Sequence, residues 1–286
     1  MKRTLLLVLA AVMLAVGCGQ QTSGPSDITI NDDLGHQIKV GYSPQRIISL
    51  TPNTTEILCF LGLEGRLIGR SNYCNYPPEV EKVPSIGDVT TFSIEKIVAM
   101  RPDLVVANRM ISLEFVEKLQ SMGLNVAAFD PNTVDGIIDT IKRIALICGV
   151  PDKTESLNAD LETYKRTEST GKIVYIEIWN SPPTTFGKDT FGSDVIKWVG
   201  GTNLGDSLEG AYPTTTDEAL IKLNPDVVVI PTKSSTAVEE FKSRKGFDIL
   251  KAVKDNKIFA IDEDIMSRPG PRIIDAIKQL DNEINR

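Results

Sequence analysis

Histidine is almost missing: His36 is the single one in 286 residues. Zinc, copper and manganese sites usually draw on imidazole, and acid–base catalysis at neutral pH uses it most often, so transition-metal receptors and most hydrolases are disfavoured together. His36 itself lies in Asp32-Asp-Leu-Gly-His36, which reads as a solvated turn of an early hairpin. Cysteine is scarce as well. The four cysteines show no CxxC spacing, which removes ribbon-type zinc sites and dithiol redox motifs. A basic surplus is also lacking: 31 Lys+Arg against 38 Asp+Glu give a net charge of −7, the wrong sign for neutralising phosphates, so no nucleic-acid partner is expected. There is no GxSxG, no HExxH, no GxxxxGK[ST] and no GxGxxG after a strand, and a non-enzymatic role is expected, with no catalytic residue, cofactor or metal. Asp262, Glu263 and Asp264 form the densest acidic run, which reads as a solvated loop after a strand or a hard-cation ligand set.

Only one long apolar run is present. Lys2 and Arg3 precede Thr4 to Val16, about thirteen residues, too short for the roughly 20 that a membrane-spanning helix needs. Residues 1–17 therefore read as a signal peptide of an exported protein. Leu14-Ala-Val-Gly-Cys18 resembles the lipobox of prokaryotic lipoproteins, which makes Cys18 the expected lipidation site and membrane anchor. Residues 18–45 then form a polar tether, rich in Gly, Ser and Pro up to Asp27, followed by the N-terminal hairpin. Of the remaining cysteines, Cys59 and Cys148 sit in apolar helical patterns and read as small buried hydrophobes; with Cys74 they permit at most one disulfide.

With 41% hydrophobic and 24% charged residues the body is an ordinary soluble α/β composition. Arg46–Thr51, Leu104–Ala107, Asn125–Phe129, Lys172–Ile178, Asp226–Ile230 and Lys257–Ile261 are short apolar strands separated by helical stretches, the pattern of parallel βαβ sheets. In the first helix Glu56 follows Asn53 at capping-box spacing. Pro151 to Gly171 is different: it is charged, with Leu157, Leu161 and Tyr164 at three- and four-residue spacing, and it reads as one long helix. The expected layout is an N-terminal lobe over 46–150, a connecting helix over 151–171 and a C-terminal lobe over 172–286.

A repeat supports two equivalent lobes. Gly87–Ala107 aligns without a gap on Gly210–Ile230 at an offset of 123, with seven of 21 positions identical, among them Gly87/Gly210, Glu95/Glu218, Pro102/Pro225 and Asp103/Asp226. Each copy reads as a hydroxyl N-cap (Ser93, Thr216), a short helix, a Pro-Asp turn and a buried strand. Glu95 and Glu218 fall at matched points on the two helices, where they either complement the helix dipole or offer a two-fold partner two carboxylates. A cleft between such lobes is a common place for a ligand.

Several stretches together resemble the substrate-binding proteins of ABC importers for vitamin B12, iron–siderophores and haem: Arg46-Ile-Ile-Ser-Leu-Thr-Pro-Asn-Thr-Thr-Glu56, Asn72-Tyr-Cys-Asn-Tyr-Pro-Pro78, Ile94 to Asp103, Ser181-Pro-Pro with Gly187-Lys188, Gly200-Gly201, and Arg268 with Pro271-Arg-Ile273. The resemblance implies two Rossmann-like lobes with parallel sheets on one long backbone helix, and a monomer that delivers ligand to a permease dimer driven by an ATPase. It implies that Glu95 and Glu218 pair with permease arginines. By position it implies ligand contacts at Pro52, Tyr73, Tyr212 and Asp264, while Val89, Asn108 and Thr184 stand where cobalamin binders carry large aromatics. Trp179, Phe186 and Phe191 are placed to replace part of that surface, and Tyr76 and Arg268 complete the candidate set. The expected cargo is a corrinoid, cobalamin first, with a ferric siderophore or haem as the alternative; for an anionic chelate Arg268, Arg109 and Lys188 are the candidate partners. The expected location is the periplasm or the cell surface.

Overall fold

The computed structural model describes residues 27–285. Cys18, the signal segment and most of the tether lie outside them. The chain opens with the expected hairpin, β1 (Ile28–Asn31) against β2 (Gln37–Val40), antiparallel. His36 sits in its turn with Nδ1 3.1 Å from Asp32 Oδ2.

The N-terminal lobe follows as β3 (Ile47–Ser49), α1 (Pro52–Phe60), β4 (Leu67–Arg70), α2 (Ile94–Ala99), β5 (Leu104–Asn108), α3 (Leu113–Ser121), β6 (Val126–Phe129) and α4 (Val134–Ile147). Its strands pair in parallel in the order β4-β3-β5-β6. After α5 (Glu155–Glu162) come β7 (Ile173–Ile176), the small hairpin β8 (Trp179–Asn180) and β9 (Pro183–Thr184), α6 (Phe191–Trp198), β10 (Thr202–Asn203) and α7 (Asp217–Leu223). The chain ends with β11 (Val227–Pro231), α8 (Ala237–Lys242), α9 (Lys251–Lys254), β12 (Ile258–Ile261), α10 (Glu263–Ser267) and α11 (Ile273–Asn285). The second sheet is parallel in the order β10-β7-β11-β12, the same topology as the first.

The repeat is structural down to single hydrogen bonds. Ser93 accepts from the Lys96 amide and Thr216 from the Ala219 amide, N-caps that each stabilise their helix by about 1 kcal/mol. Gly87 and Gly210 hold φ of 104° and 97°, a backbone region that L-residues avoid. Asp103 accepts from the Gln45 and Arg46 amides ahead of β3, and Asp226 from the Ile173 amide that begins β7. Each Pro-Asp turn thus joins the two central strands of its sheet.

Alternate residues of each sheet enter different cores. Ile48, Val105 and Val126 face a cluster private to the first lobe, and Tyr175, Val228 and Ile258 one private to the second. The opposite faces, Leu104, Val106 and Phe129 in one sheet and Val174, Val227 and Val229 in the other, belong to one continuous core completed by α4, α6 and α11.

The connector differs from expectation. Helix covers only Pro151–Glu162, opening as a 3-10 turn before α5, and residues 163–171 run irregularly. Pairing with the second lobe displaces the helix there: the Arg166 amide donates to the Trp198 carbonyl (2.8 Å) and the Thr170 amide to Gly200 (2.8 Å). Rigidity between lobes therefore comes from the shared core rather than from one long rod. It is reinforced where Asp194 of α6 accepts from the Val134 amide at the start of α4 (2.7 Å).

Cys59, Cys74 and Cys148 are all free thiols, and burial pushes Cys148 up to about 12. No helix among the described residues is long and apolar enough to cross a membrane.

Candidate functional site

Parallel sheets leave their ligands at the carboxyl ends of the strands, and here both sheets point those ends into the space between the lobes. β3 runs into α1, so Thr51, Pro52 and Asn53 stand at its rim. β5 ends at Asn108 beside them, and Asn108 Nδ2 donates to Asn53 Oδ1 at 3.1 Å. The expected capping box at α1 does not form: Thr51 is the N-cap without a side-chain bond, and Glu56 turns away from the helix start. A buried hydroxyl cluster of Ser49, Thr51, Thr54 and Thr55 holds this turn instead.

Two cavities occupy the cleft. The first, about 280 Å³, is lined by Pro52, Tyr73, Val89, Asn108 and Met110 of the first lobe and by Asp264, Ser267 and Arg268 of the second. The second, about 430 Å³, is lined by Ile178, Phe186, Phe191, Tyr212 and Met266, and Asp264 and Ser267 form its common wall with the first. Val89 and Tyr212 are equivalent positions of the repeat, so the two cavities are pseudo-symmetric halves of one site. The second half is the aromatic one: Phe186 lies 5.3 Å from Phe191 and 6.0 Å from Tyr212, ring centre to ring centre. Phe186 and Phe191 are buried and pack edge-on, so they back the exposed Tyr212 ring, which presents the apolar face to a ligand.

Phe186 depends on a glycine. A Cβ on Gly192, in the first turn of α6, would overlap the Phe186 ring. Gly192→Ala is expected to push that ring into the second cavity and to lower stability by about 1–3 kcal/mol, the usual cost of overpacking; thermal melting and ligand titration of the variant check both effects.

A chain of alternating charges starts at the cleft, where Asp264 and Arg268 line the first cavity and Glu263 and Asp264 the second, and runs to the groove behind it. Lys233 Nζ lies 2.7 Å from Asp264 Oδ2, and Arg268 Nη2 2.8 Å from Asp264 Oδ1. Arg268 Nη1 then reaches across the lobes to Glu56 Oε1 at 2.9 Å and to Asn75 Oδ1 at 2.8 Å. Glu56 also takes a fork from Arg272, Nε to Oε2 at 2.8 Å and Nη2 to Oε1 at 2.7 Å. Arg272 in turn stands 3.8 Å from Asp262, which caps α10 by accepting from the Asp264 amide. The acidic run is thus the solvated cap and first turn of α10 rather than a loop. Asp262 and Asp264 are matched to cations, and no group of three or more His, Cys, Asp or Glu among the described residues could hold a metal ion.

Of the expected contacts, Pro52, Tyr73, Tyr212, Asp264 and Arg268 come together in the cleft, with Tyr73 and Tyr212 each 59% exposed and open to a ligand. Two do not join them. The Tyr76 ring is covered by the Arg272 guanidinium at 4.1 Å and lines a different groove of about 420 Å³, beside Phe60 and Leu157. Trp179 donates from Nε1 to the Ser181 carbonyl of its own hairpin (2.9 Å) and lines neither cavity. Tyr76 is drawn off because Glu56 fixes Arg272 above it, and Trp179 because the β8–β9 turn supplies its partner. Arg109, a candidate for an anionic ligand, pairs with Asp130 at 3.0 Å. Lys233, Met110 and the interlobe role of Glu56 carry no local sequence signal, since each depends on residues far away in the chain.

Glu95 and Glu218 lie outside the cleft, exposed on α2 and α7, and neither forms an ion pair among the described residues. Their own backbone amides, with the hydroxyls of Ser93 and Thr216, hold both carboxyls below the usual range.

Comparison with known proteins agrees with this architecture. The periplasmic binding protein family matches over residues 47–265. An uncharacterised ABC-transporter substrate-binding lipoprotein of Bacillus subtilis is 31% identical, with 97% of this chain and 95% of that protein covered. A possible iron-binding periplasmic solute-binding protein of Staphylococcus epidermidis superposes with a TM-score of 0.72 at 29% identity, over 86% of this chain and all of that one. The periplasmic vitamin B12-binding protein of Vibrio cholerae superposes with a TM-score of 0.74 at 25% identity, over 85% and 97% of the two chains.

Proposed function

The chain belongs to the periplasmic binding protein family, as a non-enzymatic component of an ABC importer of the vitamin B12, haem and siderophore class, and from that premise we propose that its cargo is a corrinoid, with cobalamin first. The observation that carries the choice is that the cations at the cleft are already paired. Every cation there has an anionic partner: Lys233 and Arg268 hold Asp264, and Arg268 and Arg272 share Glu56. An anionic chelate needs unspent cations, whereas a large ligand decorated with neutral amides needs apolar area and hydrogen-bonding groups. The exposed rings of Tyr73 and Tyr212, the latter backed by Phe186 and Phe191, supply the area, and the two tyrosine hydroxyls with Ser267 supply the bonds. The name of the Vibrio cholerae protein supports the same ligand. The iron-binding description of the Staphylococcus epidermidis protein keeps a ferric chelate as the second reading.

The protein works as a monomer on a lipid anchor at Cys18, a reading supported by the lipobox resemblance and by the lipoprotein name of the Bacillus subtilis relative. Docking to the permease uses Glu95 and Glu218. Isothermal titration of the chain from residue 19 onward with cyanocobalamin is expected to give one-to-one binding at about micromolar Kd or tighter, equivalent to some 8 kcal/mol. Heat with haem or ferrichrome and none with cyanocobalamin would replace the corrinoid reading by the iron-chelate one.

A further inference from the structure

We propose that Glu56 is a specificity-determining residue of the cleft, acting through Arg268 and Arg272 to offset their positive charge and so to select uncharged over anionic cargo. The proposal rests on the reading above that the cargo is an uncharged corrinoid.

Six side chains alternate in sign from the cleft to the groove behind it, Lys233, Asp264, Arg268, Glu56, Arg272 and Asp262, and Glu263, 4.0 Å from Lys233, adds a fourth anion at the exposed end. The second lobe provides five of the six. Glu56 is the first lobe's only charge in the chain, and without it Arg268 and Arg272 lose the buried carboxylate that they share. Its carboxylate is 2% exposed, and both oxygens are used, on guanidinium groups that are themselves 11% and 13% exposed. In so dry a setting a charge is weakly screened, and its removal is felt by anything bound a few ångströms away. Arg268 lines the ligand cavity, and the bond to Glu56 also turns its guanidinium edge toward the first lobe. Glu56 itself lines neither half of the cleft. It acts through the two arginines, as a positioning and neutralising group.

The test is Glu56→Gln, which preserves shape and removes the charge, titrated with cyanocobalamin and with haem beside the unaltered protein. The ratio of the two affinities is expected to shift by at least about tenfold toward the anionic ligand, as removal of one member of a desolvated charge pair generally does. Glu56→Asp should restore the original ratio in part, and Glu56→Gln combined with Arg272→Gln, which returns the net charge to its original value, should restore most of it. A role that is only structural would weaken both ligands alike and leave the ratio unchanged, and that result overturns the proposal. Should Glu56→Gln fail to fold, Arg272→Gln alone makes the net charge one unit more negative and is expected to shift the ratio the other way; no shift overturns the proposal equally. The corrinoid reading fails separately, on the unaltered protein: if that protein binds haem and not cyanocobalamin, the Glu56 inference still stands or falls on whether Glu56→Gln tightens haem.

Discussion

Reversing both Glu95 and Glu218 to lysine is expected to abolish ligand delivery to the permease while leaving ligand affinity in solution unchanged. Both carboxylates sit in the first turns of short helices that occupy equivalent places in the two lobes, each behind a hydroxyl N-cap and a left-handed glycine. Both are exposed and lack an ion pair among the described residues. Backbone and hydroxyl hydrogen bonds hold both carboxyls below the usual range, which favours the charged form. The helix dipole accounts for one such carboxylate at well under 1 kcal/mol, but it gives no reason for a matched pair on the two lobes of one molecule. A two-fold permease that offers one cation to each lobe does. Exposed pairs of this kind set register and association rate more than affinity, so a single reversal should slow uptake, and the double reversal, which juxtaposes like charges at both contacts at a cost of several kcal/mol, should reduce it by about a hundredfold or more. Whole-cell uptake of labelled cobalamin beside isothermal titration of the purified variant separates the two steps. Uptake at the normal rate by the double variant would sink the docking assignment.

Glu177→Ala is expected to be the most destabilising single change in the second lobe. Glu177 follows β7, is 3% exposed, and takes a two-pronged bond from Arg244, with Nη1 to Oε2 at 2.7 Å. Arg244 is fixed from its other side by the rings of Phe241 and Phe247, 4.9 and 5.4 Å from its guanidinium carbon. Removal of the acid leaves a largely buried guanidinium whose remaining anion, Asp217, is 3.9 Å away. Breaking a buried pair from one side costs about 3–5 kcal/mol. At about 2–4 °C per kcal/mol for a chain of this size, the melting midpoint should fall by roughly 10 °C. The effect should reach the site too, because β7 leads directly into the loop that carries Ile178 and Phe186 along the aromatic half of the cleft. Glu177→Gln, which keeps one hydrogen bond, should lose less. Scanning calorimetry of the three proteins gives the order, and a melting point for Glu177→Ala within a degree of the unaltered protein would refute the assignment.

Much of this molecule is legible in its sequence. The central strands were marked by short β-branched runs, because a parallel strand buried on both faces has no polar alternate residues to obscure it. The pseudo-symmetry was visible in Gly87–Ala107 and Gly210–Ile230, because caps, left-handed glycines and Pro-Asp turns are local chemistry that survives when the packing residues have changed. The pairing of Glu95 with Glu218 came from the same repeat. The weakest strands escaped: β10 is two residues long and polar, Thr202-Asn203, and it is a strand only because β7 lies beside it. The connector was overextended for the related reason that a helical stripe over Leu157, Leu161 and Tyr164 says nothing about the carbonyls of Trp198 and Gly200, which capture the chain beyond Thr163.

The binding site divides along the same line. Its aromatic wall could be anticipated, since Phe186, Phe191 and Tyr212 lie within one short stretch and a hairpin and a helix start bring them together. Its electrostatics could not. Glu56 fits a capping box as a local pattern, and the structure gives it instead to Arg268 and Arg272, 212 and 216 residues away. Tyr76 left the cleft through Arg272, a partner equally out of reach of local pattern, whereas Trp179 is held by a carbonyl two residues away in its own hairpin. Periodicity, caps and turns act over a few residues and are written in the chain, and they determined the two lobes, their repeat and the exposed glutamates. The sign of the charge in the cleft is a sum over residues that meet only when both lobes have folded, and only the tertiary structure decided it.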